Sequence, residues 1–306
     1  MIDYTKIRLL GINPTSILDN NCFEFKTVVF RNGGQIHKHV AEYHFCKITV
    51  YEYGLILFTG SIHKMFNSIK GINAPNYNPK SKEQYKGFNG NQFTLSNIIY
   101  VRDHLRRLFK CESNQMVFQN IEFGINTTPM IDQLSFLPGL LYHKGKRFES
   151  KFNGNFYYCE HQQYRIKIYN KSEQYGMLTP TTRIEMSLKK SNKINKLGIY
   201  TFADINIKTL ENAKIELLRQ FDEVVYYDYT IRKCGISKPL QIRLNKYANL
   251  QFWLKDLKPH HRDRHKKKLQ ETIIKYSENL KAKFTIDILK KCVTINRLES
   301  TEMCNH

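Results

Sequence analysis

Polar and apolar residues alternate in short runs through the first two thirds of the chain, and a helical spacing replaces them beyond about residue 205. Lys6-Ile7-Arg8-Leu9 and Lys47-Ile48-Thr49-Val50-Tyr51 carry the period of a half-buried strand. Asn32-Gly33-Gly34 stands between two β-rich runs and predicts a hairpin turn. Residues 71–93 mix Gly, Asn, Pro and Lys without a period, which predicts a loop of a length usually reserved for function or disorder. A helix is predicted next. Thr94 or Ser96 can cap it, Leu95, Ile98, Ile99, Leu105 and Leu108 form its apolar stripe, and Arg102, Arg106, Arg107 and Lys110 fall mostly on its polar side.

Strand-like runs return at residues 117–127 and 155–170 and at Thr182-Arg183-Ile184-Glu185-Met186-Ser187-Leu188-Lys189. Residues 208–224 then predict a helix with Leu210, Ala213, Leu217, Leu218 and Phe221 on one face, and from 255 onward the chain reads as helical and strongly basic. There is no internal repeat. The pattern predicts an α+β protein with a strand-rich region 1–205 and a helix-rich basic C-terminal region 206–306.

The charge balance adds a partner class. Lys and Arg number 48 against 27 acidic residues in 306, a formal net charge of +21. A surplus of this size is the electrostatic footprint of a polyanion-binding protein, although an AT-rich coding sequence also inflates Lys, Asn and Ile. No apolar run approaches the ~20 residues of a membrane-spanning helix. The N-terminal residues lack a signal-peptide hydrophobic region, and the seven cysteines are scattered without a C-x-x-C. The expectation is a cytoplasmic protein with reduced thiols, with no membrane partner.

The alternation also sorts candidate chemistry onto faces. In Tyr164-Arg165-Ile166-Lys167-Ile168-Tyr169-Asn170-Lys171 the isoleucines claim the core, so Arg165, Lys167 and Tyr169 share the opposite face, and Lys171 continues it if the strand runs on. Neighbouring cations would favour the phenolate and hold a phosphate that it attacks. By strand preference alone, Tyr169 is also an ordinary strand tyrosine. Ile121-Glu122-Phe123 and Ile184-Glu185-Met186 repeat an apolar–acid–apolar pattern. Two such acids on adjacent strands suit a hard cation, Mg²⁺ or Mn²⁺, or else each faces solvent beside a Lys or Arg.

His161 is a candidate third ligand. His37-Lys38-His39 lacks the apolar spacer of the two-histidine nickase motif and is set aside. Gly60-Ser61-Ile62-His63-Lys64 reads as a compact polar turn, either a strand exit or a DNA contact. Arg262 and Arg264, within His260-His261-Arg262-Asp263-Arg264-His265, read as solvated or phosphate-contacting. No P-loop, Rossmann glycine fingerprint or G-x-S-x-G elbow is present.

Taken in order, several segments resemble the replication initiators of the filamentous-phage gene II/gene X family, which also occur on plasmids. They are Met1-Ile2-Asp3, Gly60-Ser61-Ile62-His63-Lys64-Met65-Phe66-Asn67, Phe93-Thr94, Ile121-Glu122-Phe123, Ile166-Lys167-Ile168-Tyr169-Asn170-Lys171 and Arg183-Ile184-Glu185-Met186-Ser187-Leu188-Lys189. The resemblance spans about residues 1–230. It implies an antiparallel-sheet nickase domain, HUH-like or like the trans-acting plasmid initiators, with helices on one face.

The resemblance also implies an activity: metal-dependent nicking and rejoining of origin DNA in rolling-circle replication, through a covalent 5′-phosphotyrosine. Tyr169 then stands as the nucleophile, Glu185 as a metal ligand, Glu122 where the family more often has Asp, and Lys171 as a phosphate or transition-state contact. His63, Lys64, Arg102, Arg106, Arg165, Lys167, Arg262 and Arg264 are the expected DNA contacts. The expected partners are single-stranded or melted origin DNA with a bacterial host's helicase, single-strand-binding protein and polymerase. The competing expectation is a basic DNA- or RNA-binding protein without chemistry. A tyrosine recombinase would need an Arg-His-rich catalytic set in a helical domain, which the sequence lacks.

Overall fold

The alternating runs become the strands of a large antiparallel sheet. The computed structural model describes residues 2–30, 34–129 and 131–303, the side chains of the last helix as far as Cys292. In chain order the strands are β1 (Ile2–Leu9), β2 (Lys26–Val29), β3 (Ile36–Tyr43), β4 (Cys46–Tyr51), β5 (Ile56–Ser61), β6 (Met116–Thr127), β7 (Leu140–His143), β8 (Lys146–Arg147), β9 (Glu149–Lys151), β10 (Phe156–Glu160), β11 (Tyr164–Asn170), β12 (Thr182–Leu188) and β13 (Val224–Tyr226). Among the described residues, ten of them form one sheet in the order β2-β3-β4-β5-β1-β6-β12-β11-β10-β9, and three form a second sheet in the order β13-β7-β8.

One face of the large sheet is apolar as the alternation requires. Ile121, Phe123 and Ile125 of β6, Ile166 and Ile168 of β11, and Ile184, Met186 and Leu188 of β12 all enter one core. The helices Ile62–Ile69, Leu95–Phe109, Ile207–Asp222 and the beginning of Leu280–Met303 bury residues in that same core. Thr94 caps the second of these by accepting from the Asn97 amide. The core therefore runs across residue 205, and the division expected there does not coincide with a division of the packing. A second core gathers Tyr142 of β7, Tyr227, Leu244, Tyr247, Trp253 and Leu269, mostly from the C-terminal region.

Several local expectations change. Residues 155–170 are two strands, β10 and β11, paired from Phe156↔Tyr169 to Glu160↔Arg165. β2 and β3 pair antiparallel as the hairpin pattern predicts, but Asn32 and Gly33 of the turn lie outside the described residues. Gly60-Ser61 is a strand-to-helix junction rather than a polar turn, with Ser61 capping the helix Ile62–Ile69. Gly60 has φ +150°, and a Cβ there would lie 2.6 Å from Cys46 Sγ, so only glycine fits. The helix Lys238–Ala248 and strands β7, β8, β9 and β13 were not predicted.

The other face of the large sheet carries the long irregular segment. Residues 70–94 run over it, and Phe88 packs edge-on against Tyr175 of the short helix Lys171–Tyr175 at 5.0 Å. This is the face on which the candidate chemistry lies.

Candidate functional site

Four neighbouring strands build the site: β1, β6, β12 and β11 lie side by side in the middle of the sheet. Opposite the apolar face, β12 offers Arg183 and Glu185, and β11 offers Lys167 and Tyr169. The register sets Lys167 beside Glu185 and Tyr169 beside Arg183. On the other flank of β12, Glu185 stands opposite Gly124 and Ser187 opposite Glu122. A Cβ at Gly124 would lie 2.7 Å from both Arg183 Nη2 and Glu185 Cγ. The bare backbone at 124 lets these two side chains fold across the sheet.

Glu185 is the hub. Tyr169 Oη donates to its Oε1 at 3.0 Å, Lys167 Nζ lies 2.9 Å from its Oε2, and Arg183 Nε donates to Oε1. Lys167 reaches Glu122 Oε2 at the same 2.9 Å, and so sits between the two carboxylates. Lys171 Nζ donates to Tyr169 Oη at 3.1 Å. Arg183 extends to Asp3 Oδ2 at 3.3 Å and Asn126 Oδ1 at 2.8 Å. Asp3 also accepts from Ser61 Oγ and from Asn89 Nδ2, and Tyr175 Oη in turn donates to Asn89 Oδ1 at 2.6 Å.

Burial and pairing set the charges in opposite directions. Burial pushes the Glu185 carboxyl up, but Lys167 and Arg183 outweigh it and hold it down at about 2. Asp3 follows the same logic, with Arg183 foremost among the cations that overcome burial and hold it below the usual carboxylate range. Glu122 is raised, because burial exceeds the help from Lys167 and the Glu185 charge adds to it. Lys171 is pushed down to about 7 by burial and then by Arg183. The expectation that neighbouring cations favour the Tyr169 phenolate is overturned: burial and the Glu185 carboxylate raise the phenol well above its ordinary value. The proton on Tyr169 is held, and it is held by a hydrogen bond to a named acceptor.

Asp3, Glu122 and Glu185 each offer a carboxylate oxygen within 4.8 Å of the others. All-oxygen donors at this spacing suit a hard divalent cation, and the Lys167 ammonium already occupies a cationic position between two of them. Asp3 escaped the sequence reading as a ligand. Ile2-Asp3-Tyr4 nevertheless carries the same apolar–acid–apolar signal as the two glutamates. Arg183, Asn89 and Asn126 were missed because their roles depend on partners far away in sequence.

Other expected residues lie elsewhere or are differently engaged. His161 does not join the carboxylates and groups instead with His143 and Cys159. His63 is buried, stacks on Phe93 at 4.5 Å and bonds Asn91 Oδ1 at 2.7 Å, and burial holds it down at about 3. It is a neutral support under the covering segment rather than a surface contact. Lys64 Nζ donates to the Lys86 carbonyl at 2.6 Å.

Lys167 is enclosed by its two carboxylates, and Arg165 pairs with Glu160. Arg102 pairs with Asp103, and Arg106 with Asp103 and Glu112. Arg262 is half-buried, its Nη1 3.7 Å from where a Cβ at Gly145 would be, while Arg264 is exposed. His39 bonds Thr27 on the distant strand pair β2–β3. Six described cysteines are free thiols. Among the described residues no helix is long and apolar enough to cross a membrane. Compared with known proteins, the chain matches no family model, no curated protein and no solved structure.

Proposed function

We propose that this protein is a tyrosine-dependent DNA strand-transferase, a nickase that initiates rolling-circle replication by forming a 5′-phosphotyrosine. The observation that carries the reading is the hydroxyl of Tyr169, fixed between Glu185 Oε1 at 3.0 Å and Lys171 Nζ at 3.1 Å in a buried charged cluster. Buried ionisable groups with opposed shifts are costly to fold and cluster at functional sites. The net charge of +21 and the ordered resemblance to phage and plasmid initiators supply the substrate class.

The reaction follows from these residues. Tyr169 Oη bonds to phosphorus as the bond from phosphorus to the 3′ oxygen breaks, and that oxygen takes up a proton from solvent. The phenolic proton, held at rest on Glu185, passes to Lys171 once its amine is neutral and accepts from the phenol instead of donating to it. With its ammonium lowered to about 7, Lys171 is a better-matched base than Glu185, whose carboxyl lies at about 2. Glu185 and Arg183 orient the phenol and balance charge around it. Asp3, Glu122 and Glu185 would hold Mg²⁺ or Mn²⁺, which when bound polarises the scissile phosphate. The ester keeps the bond energy, so rejoining needs no ATP.

Tyr169 is only 8% exposed, so a DNA strand reaches it after the segment 70–94 and its Phe88–Tyr175 contact shift aside. The same burial favours the second reading, a basic DNA- or RNA-binding protein in which the cluster only supports the sheet.

One experiment separates the two. The full chain is incubated with labelled single-stranded origin DNA from its own replicon and Mg²⁺ or Mn²⁺, and protein–DNA adducts are resolved in SDS. The expected result is an adduct with the wild type and none with Tyr169→Phe, at unchanged DNA affinity. An adduct that survives Tyr169→Phe removes this nucleophile, and DNA binding without any wild-type adduct leaves the binding protein.

A further inference from the structure

A second cluster of ligand-forming side chains lies away from the tyrosine. His143 ends β7 in the small sheet, while Cys159 lies on β10 of the large sheet and His161 just beyond it. Cys159 shares its register position with Ile166, so it faces the core side, opposite Glu185. His143 Nδ1 lies 2.9 Å from His161 Nε2, and Cys159 Sγ lies 3.4 Å from that same nitrogen. All three donor atoms fall within 4.8 Å of one another. A tetrahedral zinc ion with ordinary Zn–N and Zn–S bonds sets neighbouring ligand atoms about 3.3–3.6 Å apart; the 3.4 Å sulfur–nitrogen separation fits, and the 2.9 Å nitrogen pair would have to open by about 0.4 Å.

Apart from the His161 imidazole, the Cys159 thiol has only long contacts, 3.5 Å to the Lys146 carbonyl and 4.0 Å to the His143 carbonyl. His143 is fully buried, and its Nδ1 is the nitrogen that faces the other two donors. The donor set of one sulfur and two nitrogens selects a borderline-soft cation and disfavours magnesium. Tyr164 stacks on His161 at 4.5 Å and fixes its ring plane. His161 retains partial exposure.

We propose that His143, Cys159 and His161 form a zinc site that clips the three-stranded sheet, and the C-terminal core packed on it, to β10 of the large sheet. Binding exchanges the Cys159 thiol proton for the metal and releases it to solvent. The site is independent of the Tyr169 reading, since the carboxylate cluster offers only oxygen donors.

The test uses the full chain purified without a metal-affinity step. Elemental analysis is expected to find one zinc per chain. After chelation, cobalt(II) is expected to give a thiolate-to-metal charge-transfer band, in the presence of excess Mg²⁺. Cys159→Ser is expected to remove the band. His161→Gln, at a half-exposed position, is expected to weaken zinc binding about tenfold or more with the far-UV dichroism unchanged. A folded wild type that binds neither zinc nor cobalt stoichiometrically overturns the proposal. So does a folded His161→Gln variant that binds zinc as the wild type does.

Discussion

Two glutamates on the same polar face of the same three strands meet the same kinds of partner with different consequences. At one end, Glu160 of β10 pairs with Arg165 of β11 and with Lys189 just beyond β12, all of them about one third exposed. At the other end, Glu185 pairs with Lys167 and Arg183 and accepts from Tyr169, with its side chain only 2% exposed. Solvent screens the first group, and such surface pairs contribute about 0–1 kcal/mol. The second group has surrendered its hydration, so each charge depends on its partner. The difference teaches that ion pairing by itself marks nothing, whereas ion pairing that has been buried around a tyrosine hydroxyl marks a candidate site.

The sharpest break in that comparison is a pair of matched substitutions. Glu185→Gln leaves Arg183 and Lys167 short of a counter-charge in the interior and is expected to cost about 3–5 kcal/mol in urea unfolding. Glu160→Gln is expected to cost about 1 kcal/mol or less, with that cost shrinking further in high salt. Equal losses at the two positions would remove the distinction.

The pH dependence sharpens it next. Glu185 and Asp3 are lowered on folding, so their contribution is complete above the ordinary carboxyl range and is lost as pH falls through their folded values, for Glu185 toward about 2. Lys171 is also lowered, to about 7, so between there and its ordinary value the unfolded chain binds more protons and stability rises with pH. If Lys171 accepts the phenolic proton, the rate of adduct formation rises through about pH 7. Lys171→Arg, which cannot titrate in this range, is expected to abolish that inflection while Glu160→Gln retains it. Single-turnover rates across pH test this.

The smallest effect is expected at exposed charge that, on the proposed function, meets only the DNA backbone. Arg264 and Lys267 lie exposed on the helix Arg262–Tyr276. Replacing both with Ala is expected to weaken binding uniformly across DNA sequences and to reduce the salt slope by about 0.7 per lost phosphate contact on single strands, with Tm unchanged. Salt titrations of binding by fluorescence anisotropy measure it. A sequence-dependent loss would instead place these residues at bases.

The outcomes for individual residues show where reading the sequence stops. Alternation placed Lys167 and Tyr169 on one face and the intervening isoleucines in the core, and the register agrees. It put Glu122 and Glu185 each between apolar neighbours in a strand, and the fold sets those strands, β6 and β12, side by side. It failed for His161, because periodicity assigns a face within a strand but says nothing of which distant element lies against the strand's end. It missed Asp3, which completes the carboxylate group only because β1 inserts between β5 and β6. It also misjudged Tyr169, since proximity to cations was visible and burial was not.

By itself, then, the sequence determined the strand and helix periods, the apolar face of the central strands, the excess of positive charge, the face that Tyr169 shares with Lys167 and Arg165, and two glutamates each set opposite apolar neighbours. These follow from local sterics and from the demand that apolar side chains leave water. Only the tertiary structure decided that this polar face is buried, that Asp3 and Arg183 join it, that Gly124 leaves room for Arg183 and Glu185, and that His161 faces a thiol instead. Those outcomes depend on strand order and on the segment that covers the sheet, and both are set by contacts between residues far apart in the chain.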